Sequence, residues 1–349
     1  MVNVGIVGIG FMGMIHYLAY QKVKNARVTA ITSSSPKKRE GDWRGIKGNF
    51  GPEGTMMDLG DVSCYETIEQ MLADPRVDMV DICLPTAFHP DVSIKSLQAG
   101  KHVLCEKPIS MTTEDADRMV KTSEEAGKLL MIAQVLPFFP EYAFIHDAVN
   151  QGTYGRLLGG YFKRIVADPK WIVDYWDPIK GGGPLIDLHI HDAHFIRVIC
   201  GMPDKVYTRG WMRGEVVQFA ITEFIYRNNS PIITAASGAI DQQGRPFNQA
   251  FEVYLERATI TFEAVNLTTG PHMAMPLTVL TDDGRVEQPE LAGSGDPVDS
   301  FVAEVNEAVR ACEANSPSSL LNGKLARDAL VLCHLQTESA RKNDFVETN

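Results

Sequence analysis

The sequence has no apolar run approaching the ~18 residues that a membrane span requires, so a membrane-embedded chain is not expected. Its N-terminus, MVNVGIVGIGFMGMIHYLAY, is apolar but lacks the basic start of a secretory signal. The six cysteines, at 64, 83, 105, 200, 312 and 333, show no CxxC spacing and no close pairing. In a chain of 349 residues they read as reduced thiols, which points to a cytoplasmic protein. Positive charge is scarce as well: 33 Lys and Arg against 44 Asp and Glu give a net charge of −11. Broad electrostatic binding to nucleic acid or to an anionic membrane is therefore disfavoured. Repeats and low-complexity tracts are absent. With 44% hydrophobic and 22% charged residues the chain has the balance of a folded protein, and its length suggests two domains.

What is present begins at the N-terminus. Val2 to Val7 is a short apolar run, and a helix-compatible stretch starts near Phe11. Between them Gly8, Gly10 and Gly13 have GxGxxG spacing. In strand–turn–helix context this is a dinucleotide cradle: Gly8 permits the turn, Gly10 lets a phosphate approach, and Gly13 packs helix on strand. The first-turn amides, from Phe11 and Met12 onward, would face the pyrophosphate. Further strands are expected at Arg27–Ile31, Met79–Leu84, His102–Cys105 and Leu129–Gln134, with helices at Pro90–Ala99 and Thr112–Gly127 between the later ones. That alternation predicts a Rossmann domain over residues 1–132, a doubly wound parallel sheet in an α/β chain.

One absence here bears on the cofactor. An NAD site of this type carries an acidic residue about 20 positions beyond the glycines, to hold the ribose hydroxyls. The second strand runs instead into Thr32-Ser33-Ser34-Ser35-Pro36-Lys37-Lys38-Arg39, with hydroxyls and cations but no carboxylate. Ser33, Ser34 and Lys37 suit a 2′-phosphate, which favours NADP over NAD. The Gly-rich stretch 41–60 shows no helical period and reads as a lid, an interface loop or part of the adenosine pocket.

Pro85-Thr86-Ala87-Phe88-His89 follows one strand, and AGKHVLCEKP (residues 99–108) runs through the next. The latter resembles the EKP signature of the Gfo/Idh/MocA oxidoreductases, a family that includes glucose–fructose oxidoreductase and inositol dehydrogenase. Together with the glycine motif and a DxxxH motif described below, the resemblance covers the whole chain. It implies an NAD(P)-dependent oxidoreductase acting on a sugar, cyclitol or related polyol, and a cis bond before Pro108. Read on its own, Lys107 lies at the carboxyl end of a parallel strand, where open α/β sheets place ligands. There it can stabilise alkoxide character on a substrate oxygen. Glu106 would orient Lys107 or the nicotinamide. Pro85 and His89 would line the cofactor site, with capping of the next helix the alternative for His89.

The second half, residues 133–349, is expected to be an α+β substrate and oligomerisation domain whose last helix packs back on the first. In Lys170–Lys180, Trp176 offers a face to a sugar, packing being the alternative. The stretch GGGPLIDLHIHDAH (181–194) predicts one helix opened by Pro184, with Asp187, His191 and His194 along one face. His191 would be the general base and Asp187 its partner. This matches the family's DxxxH motif, which implies both as partners of Lys107. Two departures from the family are His189, where Gly is common, and His194, where Asp is frequent. His189 points off the catalytic face and reads as buried or at an interface, whereas His194 would touch substrate. The departure at Gln134-Val135-Leu136-Pro137, where relatives carry Arg or Asn, removes those polar contacts from the comparison.

Period-two patterning at 216–226, 232–240, 250–263 and 275–287 predicts a large, mostly antiparallel open sheet, and two helices close the chain at Pro297–Ala311 and Asn322–Lys342. A long open face needs covering, which predicts a homodimer or homotetramer through this sheet. Two other functions are open to the same sequence. One is a non-catalytic NAD(P)-binding regulator, against which the intact Lys107, Asp187 and His191 stand. The other is a metal-dependent lyase or hydrolase built on His189, His191 and His194. On a helix, i and i+2 side chains diverge, so no metal site is expected.

Overall fold

In a computed structural model describing the whole chain except Pro297 and Asn349, and Asn229 by its backbone alone, residues 1–138 and 293–327 form one compact unit. Residues 139–292 and 328–349 form the other. The return of 293–327 to the first unit departs from an uninterrupted division at 132.

The first unit alternates strand and helix: β1 (Val2–Val7), α1 (Phe11–Tyr20), β2 (Ala26–Thr32), α2 (Pro36–Arg39), β3 (Ser63–Tyr65), α3 (Ile68–Leu72), β4 (Met79–Ile82), α4 (His89–Gln98), β5 (His102–Glu106), α5 (Thr113–Ala126) and β6 (Leu130–Ala133). Its six strands are parallel, in the order β3-β2-β1-β4-β5-β6. Every residue of β4 and β6 is buried, the pattern of strands covered on both faces. The order reverses beside β1, so the carboxyl ends of β1 and β4 open a crevice of the kind that holds ligands in such sheets. α5 starts where Thr112 caps the Asp115 amide and stops at Gly127 in the left-handed conformation. β3 and α3 were not foreseen, although Thr67 and Gln70 form a capping box at the start of α3.

Loop 41–60 packs on α1. Trp43 is fully buried, meets Tyr17 edge-on at 4.9 Å, and donates its indole N–H to the Lys38 carbonyl. Later in the chain, α9 (Asp299–Ala314) brings Val305, Ala308 and Val309 into the same apolar cluster as Met14, Ile15 and Tyr17 of α1. The expected start of this helix at Pro297 lies outside the described residues. Behind α9, Leu321 accepts the Ile132 N–H at 2.8 Å, covering the edge of β6.

The second unit comprises α6 (Pro140–Asn150), β7 (Leu157–Ala167), α7 (Gly183–Asp187), α8 (Ile190–Cys200), β8 (Lys205–Arg213), β9 (Val216–Ile225), β10 (Ile232–Ile240), β11 (Phe247–Leu255), β12 (Ala258–Leu267), β13 (Gly270–Thr281), β14 (Val286–Glu287) and β15 (Val346–Glu347). α10 (Gly323–Lys342) crosses the division at 327/328. The sheet order is β14-β13-β12-β11-β7-β10-β9-β8-β15, antiparallel throughout except for β7 with β10. The expected single strand 250–263 is a hairpin. Its turn, Glu256-Arg257, is held where Glu256 and Arg257 donate to the carbonyls of Arg156 and Tyr154. The inner face of this sheet packs Phe162, Phe251 and Phe262 against Tyr142 of α6 and Phe195 of α8. Among these rings lies a buried ion pair, Arg164 with Asp192 at 2.7 Å, completed by the Tyr142 hydroxyl and Gln249. Removing either charge would strand the other, whereas the intact pair roughly offsets its own desolvation.

Candidate active site

The three glycines of the first turn do three different things. Gly8 has φ +95°, and a Cβ there would meet the Cys83 carbonyl at 2.7 Å. A Cβ on Gly13 would lie 2.0 Å from the Gly8 carbonyl oxygen, so helix and turn touch through backbone. On Gly10 it would meet nothing within 4 Å. Open space at this glycine and close contact at the other two are what a phosphate cradle needs. Gly10 begins α1 without a side-chain cap, and no acidic residue stands in the first turn. Met12 is half-buried against the core, and Phe11 turns its ring to Phe50 at 4.8 Å, which leaves the backbone of both for a ligand.

Beyond β2 the serines divide. Ser33 is buried, its hydroxyl accepts the Ser35 N–H, and its carbonyl takes an Arg39 N–H at 2.6 Å. Ser33 therefore helps to form the turn that follows β2. Ser34 and Lys37 are exposed. Lys38, which the sequence reading did not single out, donates to the Ile9 carbonyl at 2.6 Å and so puts an ammonium on the glycine turn itself.

Pro85 is exposed just past β4. His89 is fully buried, its two ring nitrogens 2.8 Å from the carbonyls of Leu84 and Pro108. Both nitrogens lie against backbone carbonyls, so His89 ties the end of β4 to the proline turn. Burial lowers its pKa, and the two carbonyls oppose that. β5 ends at Glu106, and the Lys107–Pro108 bond that follows is cis. The Glu106 carboxylate is buried; one oxygen accepts the Lys107 backbone N–H at 3.0 Å and the other lies 3.3 Å from His16 Nε2. Lys107 is half-buried. His16 is the main omission of the sequence reading, and the available signal was an imidazole on an apolar helix three residues past the last glycine.

In the second unit, Gly182 and Gly183 have φ +67° and +66°, and a Cβ on Gly183 would strike Val216 at 2.1 Å. The one helix expected from Pro184 is two. The His189 amide reaches five residues back to Pro184 (2.8 Å), which widens the turn, and α8 starts afresh at Ile190. Asp187 therefore ends α7, while His191 and His194 share α8; Asp187 and His191 are half-buried and His194 is buried. His189 is buried with its ring near-parallel to Phe224, and burial pushes its imidazole down to about 4. Asp192 is committed to Arg164. Among the described residues, His189, His191 and His194 do not gather as a metal-binding group.

Trp176 donates its indole N–H to one oxygen of Asp168 (2.9 Å), and Arg213 takes the other (2.9 Å) while its guanidinium stacks 4.3 Å from the indole. Tyr175 is buried beside them, its phenol pushed up by burial and then by the charges of Asp187 and Asp168. Asp168 and Arg213 were not singled out from sequence; the signal was a charge at the end of each of two strands.

Residues 2–134 match the oxidoreductase family with an NAD-binding Rossmann fold, and residues 142–261 match the GFO/IDH/MocA C-terminal domain. The chain belongs to the Gfo/Idh/MocA oxidoreductase family. A myo-inositol 2-dehydrogenase of Thermotoga maritima is 28% identical over 80% of this chain and 78% of its own length. A D-glucoside 3-dehydrogenase of Escherichia coli is 32% identical over 41% of this chain and 42% of its own. The match likewise spans less than half of an oxidoreductase of Rhizobium meliloti, 43% of its length. A levoglucosan dehydrogenase in complex with NADH and L-sorbose has the same fold, with a TM-score of 0.79 at 18% identity, covering 100% of this chain and 99% of that one.

Proposed function

We propose that this family member is an NAD(P)-dependent dehydrogenase that moves a hydride between nicotinamide and a secondary alcohol of a sugar, cyclitol or related polyol. The observation that carries the reading is Lys107, on a buried and hydrogen-bonded turn at the carboxyl end of β5, in the same unit as the open Gly10 turn. Gly8, Gly10, Phe11, Met12, Gly13, Ser34, Lys37 and Pro85 would hold the dinucleotide. The nicotinamide, when bound, supplies the hydride chemistry. Lys107 donates to the substrate oxygen and stabilises its alkoxide character. His191 takes the hydroxyl proton, and Asp187 holds the imidazole or a neighbouring hydroxyl. His194 and Trp176 shape the substrate side.

NADP is favoured over NAD, since Ser34, Lys37 and Lys38 follow β2 in the chain and residues 32–39 contain no carboxylate. Six free thiols support a reducing, cytoplasmic setting. A second copy of the chain would cover the outer face of the large sheet, where Tyr161, Trp211, Ile221, Ile232 and Tyr254 are exposed. Its long strands span roughly 1,000 Å² at ordinary strand spacing. A stable interface needs about 800 Å² per partner.

Fluorescence titration with NADH and NADPH, followed by oxidation assays on a polyol and sugar panel with wild type and Lys107→Ala, tests the assignment. Tighter NADPH binding and turnover lost in Lys107→Ala are expected. Binding of neither nucleotide would sink the function, and turnover indifferent to Lys107→Ala would sink the mechanism.

A further inference from the structure

The first unit buries more charge than the hydride chemistry uses. His16, on α1, is wholly buried, with its Nδ1 2.9 Å from Asp81 of β4 and its Nε2 3.3 Å from Glu106 at the end of β5. Glu304 of α9, also fully buried, stands 4.0 Å from the same Nε2. The Cys83 sulfur lies 3.6 Å from Nδ1, and the Tyr20 phenol faces Asp81. Three elements thus aim acidic or polar groups at one imidazole.

An isolated buried carboxylate or imidazolium is very costly, so a cluster like this persists only if the charges pair. The distances show how. An imidazole with a proton on each nitrogen hydrogen-bonds Asp81 through Nδ1 and stands within ion-pair distance of Glu106 through Nε2, whereas a neutral ring has only one N–H and would leave one carboxylate facing a lone pair. Burial works against the charge on His16, but the opposing contributions, Asp81 first among them, raise its pKa well above the ordinary value. Burial also raises the Glu304 pKa well above the carboxylate range, with His16 opposing, so Glu304 enters the cluster as a neutral acid. Cys83 stays a thiol, since burial and then Asp81 push it up.

The pairing has a consequence outside the core. The oxygen of Glu106 not facing His16 accepts the Lys107 backbone N–H at 3.0 Å. We propose that His16 is a positioning residue: as an imidazolium clamped between Asp81 and Glu106, it fixes the Glu106 carboxylate on the Lys107 amide and thereby sets where the Lys107 side chain starts. The clamp rests on the reading of Lys107 as catalytic. It also connects that lysine to α1, the helix that opens at the nucleotide turn.

Two substitutions separate the two arms of the ring. His16→Gln keeps an N–H near the Nε2 position, toward Glu106, and His16→Asn keeps one near Nδ1, toward Asp81. In variants that melt cooperatively, His16→Asn is expected to lower kcat by at least about tenfold, with KM and nucleotide Kd held within about threefold. His16→Gln should recover a large part of that loss. Glu304→Gln, an isostere of the neutral acid, should stay within about twofold of wild type. Nitrogen-15 NMR of histidine-labelled wild type should show His16 carrying both ring protons at about pH 8. A neutral His16 there, equal losses in the Asn and Gln variants, or a stoichiometric divalent metal bound by wild type and lost with His16 would each overturn the clamp. Absence of turnover by the wild type would instead sink the dehydrogenase reading, and the NMR signal of the wild type then decides the clamp alone.

Discussion

Lys107 is anchored through its backbone before its side chain meets any substrate. Glu106 accepts its N–H, and His89 holds the carbonyl of the following Pro108. Lys107→Met, which keeps the stem and removes the donor, is expected to cut kcat about a hundredfold or more in steady-state assays. Its nucleotide Kd should stay within about threefold of wild type in titrations. His189 makes a prediction of a different kind. In the unfolded chain it takes a proton near pH 6.5, but folded and buried it does so only near 4. The unfolded state binds more protons across that window, so stability falls as pH drops through it and is fully present above it, a change of about 3 kcal/mol at most. Denaturant melts of His189→Leu should lose that part of the dependence between pH 6.5 and 4.

At the level of elements, a shared residue type carries different demands. Gly10→Ala meets open space and should leave the melting temperature nearly unchanged while weakening nucleotide binding. Gly13→Ala forces a Cβ onto the Gly8 carbonyl and should destabilise the first unit by about 1–3 kcal/mol in denaturant titrations. The break between α7 and α8 belongs to this scale too. An unbroken helix would put Asp187 and His191 one above the other; the five-residue reach from His189 to Pro184 inserts extra backbone and resets the face. His191 keeps its α-helical relation to His194 but not to Asp187.

For the whole molecule the open question is what covers the large sheet. Ile221 and Trp211 stand half-exposed on its outer face. Ile221→Glu should shift sedimentation from dimer or higher to monomer, with the melting of the isolated chain little changed, because the side chain is not part of the inner core. A wild type that sediments as a monomer at micromolar concentration would remove the second copy as the occupant.

Much of this protein follows from neighbours in the chain. The glycine turn, the strand–helix alternation, the cap and stop of α5 and the EKP turn are contacts within a few residues, so spacing and residue type determine them. Fold class and family were legible for that reason, as was the burial of His189. Charge at a distance was not. His16, Asp81, Glu106 and Glu304 come from four elements spread from residue 16 to residue 304, and nothing local to any of them announces the others. The contacts of Ser33 and His89 were not legible for the same reason: folding sets their polar atoms against nearby backbone. Local sequence determined which segments turn, pair and coil. Only the tertiary structure decided which polar groups remain for chemistry and which are consumed in satisfying one another, since that depends on what is buried beside them.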